Sequence, residues 1–188
     1  LHFSNIKKEL PFWKKYYCSE GLYETFSTFF ENLTLNKNFL INELKFDKYH
    51  VEDIFERMMF IEIYGTSFYT ANSLFKKKYW EKELSISEAN DYYAEIIKKY
   101  LGIDVDGRYW LLHHILPEDF LYVPSYMLAM INAAEVRHYL EAKFGICWYK
   151  NLESGNYLKG LMLEGTDSLL ASFKNSNPKM LISELLKN

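Results

Sequence analysis

The stretch GLYETFSTFFENL, residues Gly21 to Leu33, separates into two chemically opposite faces when it is wound at about 3.6 residues per turn. One face carries the apolar positions Leu22, Phe26, Phe29, Phe30 and Leu33. The other carries the polar positions Glu24, Ser27, Thr28 and Glu31. The apolar spacing is typical of a helix that packs on a core. The polar face is therefore either a solvated outer surface or the wall of a polar site.

Helical periodicity continues through the rest of the chain, and stop and start signals divide it. Helices are predicted at residues 38–46, 49–80, 89–100, 124–145, 153–164, 168–174 and 178–187. Asp47 offers an N-cap, Ser85 and Glu88 form a potential capping box, and Gly102 ends a helix. Gly65, inside the longest helix, predicts a kink or a close helix crossing. Since no alternating strand lies between turn signals, we predict an all-α helical bundle.

The bulk composition excludes several classes of protein. The chain has 188 residues, of which 49% are hydrophobic, so one globular domain with a substantial core is expected. Its 22 basic and 25 acidic residues give a net charge of only −3, which predicts no nucleic-acid partner. The longest uncharged run, residues 120–134, is shorter than the roughly 20 residues of a membrane span. The two cysteines are too few for a disulfide scaffold, so a reduced cytoplasmic setting is expected.

The polar face of the first helix matches a known pattern. The spacing Glu24-x-x-Ser27-Thr28-x-x-Glu31 resembles a signature of the zinc metallopeptidases related to oligoendopeptidase F and thimet oligopeptidase. In that family the first Glu of the pattern is the third zinc ligand and follows an H-E-x-x-H helix. The chain contains no H-E-x-x-H, but it opens with Leu1-His2, as in the continuation of that zinc helix in family members. The resemblance implies the C-terminal portion of a larger peptidase, with Glu24 as a metal ligand and the N-terminal half missing.

Two later segments are similar to the same family. Residues 54–62 look like the family helix Phe-x-Gln-x-Met-Phe-x-Glu, with Arg57 where a Gln is usual. Leu84 to Glu88, the pair Tyr92-Tyr93 and Lys99 to Gly102 then follow in the family's order and spacing. The resemblance covers most of residues 21–145.

The family also places a His and several Tyr before and within a late helix, where they contact the substrate carbonyl and the oxyanion. The resemblance assigns these catalytic roles to His114, Tyr122 and Tyr126, with His113 as the alternate. Imidazole and phenol donors suit the role because they stabilise charge that develops only in the transition state. The two histidines diverge by about 100° in a helix, so only one can face the site. The His lies a few residues further from the tyrosines than in the family pattern.

The resemblance implies an organisation for the whole chain. A single domain would form the C-terminal half of a gluzincin-type catalytic cleft, with a connector at 1–19, cleft-forming helices at 20–145 and C-terminal helices at 146–188. Its substrates would be short peptides. Zinc would be bound in the complete enzyme, whereas this chain alone is expected to bind no zinc tightly and to be inactive. Separation from the N-terminal half predicts an exposed apolar surface near residues 1–17 or on the Glu24 face, which would allow a dimer.

Other interpretations remain open. Glu24 could be an ordinary exposed helix carboxylate, and Tyr122 and Tyr126 could be core aromatics with satisfied hydroxyls. Glu135-x-x-His138 is the pair used by di-iron bundles, but such sites need it twice and it occurs once. The non-catalytic alternative is a helical scaffold, a peptide-binding module or a pseudo-enzyme.

Overall fold

The structure, a computed structural model, describes residues 7–16, 20–112, 122–163 and 176–186. These ranges contain no strand, so the predicted all-α class is confirmed. Eight α-helices lie within the described ranges: α1 (Phe12–Tyr16), α2 (Glu20–Glu31), α3 (Lys37–Asn42), α4 (Lys48–Lys82), α5 (Ile86–Leu101), α6 (Val123–Phe144), α7 (Leu152–Leu163) and α8 (Pro178–Leu185). Short 3-10 helices cover Asn32–Leu35, Gly107–Leu112 and Trp148–Lys150. The helix predicted at 168–174 lies outside the described residues.

Capping residues place several helix ends where the sequence predicts them. The Asp47 carboxylate accepts a hydrogen bond from the His50 N–H at 3.0 Å at the start of α4. Ser85 and Glu88 form the predicted capping box of α5, and Gly102 ends that helix with φ at 73°. The Asn177 side chain accepts from the Lys179 N–H at the start of α8. These local signals work because each satisfies a backbone group that a helix end leaves unpaired.

Two helices differ from the prediction. The segment predicted as helical through residue 46 leaves the helix at Asn42, and Lys45 takes a left-handed φ of 60°. The Phe46 N–H then reaches back to the Leu40 carbonyl at 3.1 Å, which closes the turn. Helix α4 continues through Gly65 without a break. A Cβ atom at Gly65 would lie 3.8 Å from the Tyr69 side chain, an ordinary van der Waals distance. Gly65 therefore marks no close helix crossing.

The described residues divide into two compact units. The first contains the described residues that lie within Leu1–Phe60 and Leu128–Asn188. Its core joins Ala133, Val136 and Leu140 of α6 to three residues from other elements, Phe29, Trp148 and Leu158. The rings of Phe29 and Trp148 lie 5.1 Å apart between centroids. Each such aromatic, once buried, stabilises the fold by roughly 1.5 to 3 kcal/mol.

The second unit comprises Ile61–Met127 and has its own aromatic core. Phe75 of α4 lies fully buried at its centre, with ring centroids 5.1 Å from Tyr93 and 5.4 Å from Trp110. The Trp110 indole N–H donates to the Asn90 side chain at 2.8 Å, so its polar atom is satisfied inside the core.

The predicted single domain with segments 1–19, 20–145 and 146–188 stays a prediction. No helix in the described ranges combines the length and hydropathy needed to cross a bilayer.

Candidate functional site

The two faces predicted for α2 are present in the structure. Phe26 and Phe29 are buried, Glu24 is half-buried, and Ser27 is exposed. The Ser27 hydroxyl donates to a Glu24 carboxylate oxygen at 3.0 Å and also lies 2.9 Å from the Glu24 carbonyl. A hydroxyl three residues away therefore restrains the predicted metal ligand. Glu24 is half-buried, and it lines neither of the two cavities described below.

A buried polar chain that sequence reasoning missed fixes the rotation of α2. Thr25 is fully buried, donates to the Gly21 carbonyl at 2.6 Å and accepts from the Asn132 side chain at 3.2 Å. The Asn132 amide oxygen accepts in turn from the Ser176 hydroxyl at 2.7 Å. A buried polar group that lost its partner would cost roughly 1 to 3 kcal/mol. These linked hydrogen bonds therefore oppose any rotation of α2 about its axis. Its one sequence signal was Asn132, a lone amide in an otherwise apolar run.

The predicted tyrosines lie together at the start of α6. Tyr122 and Tyr126 are half-buried, and their rings meet edge to face with centroids 5.1 Å apart. Tyr126 also stacks on Tyr69 of α4 at 4.9 Å. This packing fixes the orientation of the Tyr126 ring whatever its hydroxyl contacts. Tyr122 and Tyr126 belong to the second unit, whereas Glu24 belongs to the first.

The predicted histidines lie outside the described residues. The catalytic role of His114, and His113 as its alternate, therefore stays a prediction. Glu135 and His138, the pair considered for a di-iron site, lie beside different residues. The Glu135 carboxylate accepts from the Asn177 N–H and lies 3.0 Å from the Ser176 hydroxyl oxygen, while His138 Nε2 lies 3.2 Å from a Glu184 oxygen. This geometry favours structural roles for both residues.

Similarity to known proteins offers no further constraint. Comparisons with protein-family models, curated proteins and solved structures give no significant match. The resemblance to zinc oligopeptidases therefore rests on the residue patterns of this chain. Within the described residues, no group of three or more His, Cys, Asp and Glu side chains could hold a metal ion.

A polar cavity of about 490 Å³ lies in the first unit beside a restrained ion pair. The Arg137 guanidinium donates to both carboxylate oxygens of Glu184, from Nε at 2.9 Å and through its second nitrogen. Both side chains are largely buried, at 12% and 20% exposure, so this pair anchors α8 to α6. The two charged side chains already bind each other within the protein, so the ion pair has a structural role.

A second cavity of about 490 Å³, here called the apolar cavity, lies elsewhere in the first unit. It is lined by Phe30, Leu33, Phe39, Glu43, Trp148, Tyr149, Lys150, Asn151, Ser154, Gly155, Leu158, Lys159 and Met162. Burial, with the neighbouring Cys147 thiol, raises the pKa of the Tyr149 phenol to about 12. Tyr149 therefore stays protonated near neutral pH, and its hydroxyl donates to the Cys147 sulfur at 3.7 Å. Neither Glu24 nor Tyr122 lines this cavity.

Proposed function

We propose that this chain is the C-terminal part of a zinc-dependent oligopeptidase that hydrolyses short peptides, with Glu24 as a carboxylate ligand of the zinc. The observation that carries this function is the Glu24 carboxylate, half-buried and hydrogen-bonded by Ser27 at 3.0 Å within the family-like pattern. A ligand held by a second side chain is typical of metal sites, where the supporting contact fixes the orientation of the carboxylate.

In this proposal the described residues contribute a single zinc ligand, Glu24. A catalytic zinc usually has three protein ligands and one open position. Glu24 supplies one ligand, and no described cluster completes the set. The imidazole ligands and the general base would come from an H-E-x-x-H helix outside this chain. When bound in the complete enzyme, zinc would polarise the scissile carbonyl and activate water for attack.

The chain's own residues would hold the metal ligand and the substrate. The contact from Ser27 keeps the Glu24 carboxylate in place, and the bond from Asn132 to Thr25 fixes the helix that carries it. The Tyr122 and Tyr126 phenols would donate hydrogen bonds to the peptide backbone and to the developing oxyanion, as would His114. Such donors act when they are oriented before the reaction, and ring packing orients Tyr126.

The decisive experiment compares two carboxylates on α2 within the complete gene product. Glu24→Gln is expected to lower zinc content and to reduce hydrolysis of a quenched peptide by at least about 100-fold. Glu31→Gln, seven residues away on the same predicted face, is the matched control and should retain both properties. Full zinc content and activity in Glu24→Gln would refute the assignment. So would a complete gene whose product carries no H-E-x-x-H upstream of Leu1.

The isolated chain provides an independent test of the fragment interpretation. Incubated with zinc and the quenched peptide, it should show no turnover, because one carboxylate cannot replace two imidazoles and the general base. Turnover comparable to that of a full-length relative would refute this interpretation. Peptide binding without hydrolysis by the complete, zinc-loaded gene product would support the non-catalytic alternative, a helical peptide-binding module or pseudo-enzyme.

A further inference from the structure

The apolar cavity has the size and composition of a small-molecule site. Its volume of about 490 Å³ falls within the roughly 300 to 1,000 Å³ typical of ligand pockets. Aromatic and aliphatic side chains form most of its wall, among them Phe30, Phe39, Trp148, Leu158 and Met162. An apolar group bound here would lose its contact with water over most of its surface. This removal of apolar surface from water is the main driving force for binding.

Helix α7 contributes one continuous face to this cavity. Gly155, Leu158, Lys159 and Met162 all line it, at the i, i+3, i+4, i+7 spacing of a single helix face. A Cβ atom at Gly155 would meet no other atom within 4 Å, so the backbone is open to the cavity at this position. A larger side chain at residue 155 would therefore occupy space that a ligand would need.

The charges on the wall favour an anion. Glu43 and Lys150 neutralise each other in an ion pair of 2.6 Å. Lys159 is exposed and forms no ion pair with any residue that the structure describes. The lining therefore carries one excess positive charge beside an apolar interior. A ligand with one negative group and an apolar body complements both features.

Trp148 contributes its side chain to the same wall. Its indole nitrogen is buried and has no acceptor among the described residues. The contrast is Trp110 in the second unit, whose indole N–H donates to Asn90 at 2.8 Å. Trp148 lines the cavity and Trp110 does not, so the two indole N–H groups distinguish binding in the cavity from binding elsewhere.

We infer that the apolar cavity binds a small apolar monocarboxylate, with its apolar body among the aromatic and aliphatic side chains and its carboxylate at Lys159. This activity goes beyond peptide hydrolysis, because neither Glu24 nor the tyrosine pair contributes to the cavity. Binding would occur in the isolated chain and would need no zinc. Failure of the peptidase function would therefore leave this site untouched, and failure here would leave the peptidase assignment untouched.

Octanoate is the probe, and the indole N–H resonances of the ¹⁵N-labelled chain are the readout. The Trp148 resonance, assigned with Trp148→Phe, should shift and saturate on titration. The Trp110 resonance serves as the internal reference and should stay in place. A Trp148 resonance that does not move, or equal unsaturated shifts at all the tryptophans, would overturn the inference.

Matched variants locate the site. Gly155→Leu fills the cavity and should weaken octanoate binding at least about tenfold. Gly160→Leu makes the same change on the same helix, also where no atom lies within 4 Å, but away from the cavity lining, and should bind like the wild type. Equal affinities for these two variants would contradict the location.

Removing the charge tests the anion preference on an exposed residue, where misfolding is not a concern. Lys159→Met should weaken octanoate binding about fivefold and leave the binding of octan-1-ol unchanged. If octanoate and octan-1-ol respond alike, the charge at Lys159 plays no part and the carboxylate preference is wrong. Circular dichroism checks that Gly155→Leu and Lys159→Met retain the helical content of the wild type.

Discussion

Single side chains decide how α2 presents its polar face. Glu24 and Thr25 are neighbours in the sequence, yet one is half-buried on a polar face and the other is fully buried. The hydrogen bond from Asn132 to Thr25 spans 107 residues of sequence. It fixes the rotation of α2 about its axis, which hydrophobic periodicity alone defines only to within the width of the apolar face. Glu24 takes its orientation from this neighbour as well as from Ser27.

Tyr93 should make the stability of the protein depend on pH in the alkaline range. Burial raises its pKa from 10.0 to about 12. A raised pKa favours the protonated phenol in the folded state, so its stabilising contribution is complete below the unfolded pKa. That contribution is lost as pH rises through the folded value. Near pH 11 the loss amounts to roughly 1 kcal/mol.

Urea denaturation between about pH 9 and pH 11 measures this effect. Tyr93→Phe cannot ionise and should lose less stability across that interval than the wild type. Tyr49→Phe is the control, since Tyr49 is 80% exposed and its phenol meets solvent in both states. If Tyr93→Phe and the wild type lost equal free energies of unfolding over this pH interval, burial of the Tyr93 phenol would not be the cause of the alkaline loss of stability.

At the scale of the elements, helix positions follow from local sequence, whereas several of their connections do not. Ser85 and Gly102 bound α5 because a capping box and a left-handed glycine act within a few residues. After the early end of α3, Lys45 takes a positive φ, and its residue type gives no signal for that conformation, so the turn could not be predicted from the sequence. The same limit applies to the candidate site. The α2 pattern is readable from spacing, while the partners of Thr25 depend on contacts distant in sequence.

The contact between α5 and the 3-10 helix Gly107–Leu112 should depend on a glycine. A Cβ atom at Gly107 would lie 2.3 Å from the Asn90 backbone carbonyl, a distance that cannot be accommodated without backbone movement. Asn90 also accepts the Trp110 indole hydrogen bond, so that movement would disturb the core of the second unit. Gly107→Ala should therefore destabilise the protein by roughly 1 to 3 kcal/mol.

Thermal denaturation compares the stabilities of Gly107→Ala and Gly160→Ala. The comparison distinguishes the steric clash of a new Cβ atom from the effect of alanine on helix propensity. Gly160 has open space around it within α7, so alanine there should raise stability by about 0.5 to 1 kcal/mol. The two substitutions are chemically identical and are expected to have opposite signs. If Gly107→Ala left the stability unchanged or increased it, the backbone at this helix contact would be able to move without cost.

On the scale of the whole molecule, the N-terminal segment presents two adjacent aromatic residues to solvent. Phe12 and Trp13 of α1 are 74% and 68% exposed. Neighbouring exposed aromatics are typical of a surface that another protein covers. In the proposed peptidase the partner would be the other half of the cleft, and in the isolated chain a second copy can take its place.

Sedimentation equilibrium of the isolated chain should therefore show a reversible dimer, which Trp13→Ser weakens at least about tenfold by removing a large aromatic contact. Leu152→Ser alters an equally exposed apolar residue at the start of α7, 78% exposed, and should leave the dimer unchanged. Because burial of apolar area drives such association, the dimer should persist in high salt, where paired surface charges are screened. A chain that stays monomeric at every concentration, or a dimer lost equally in both variants, would show that α1 is not the contact surface.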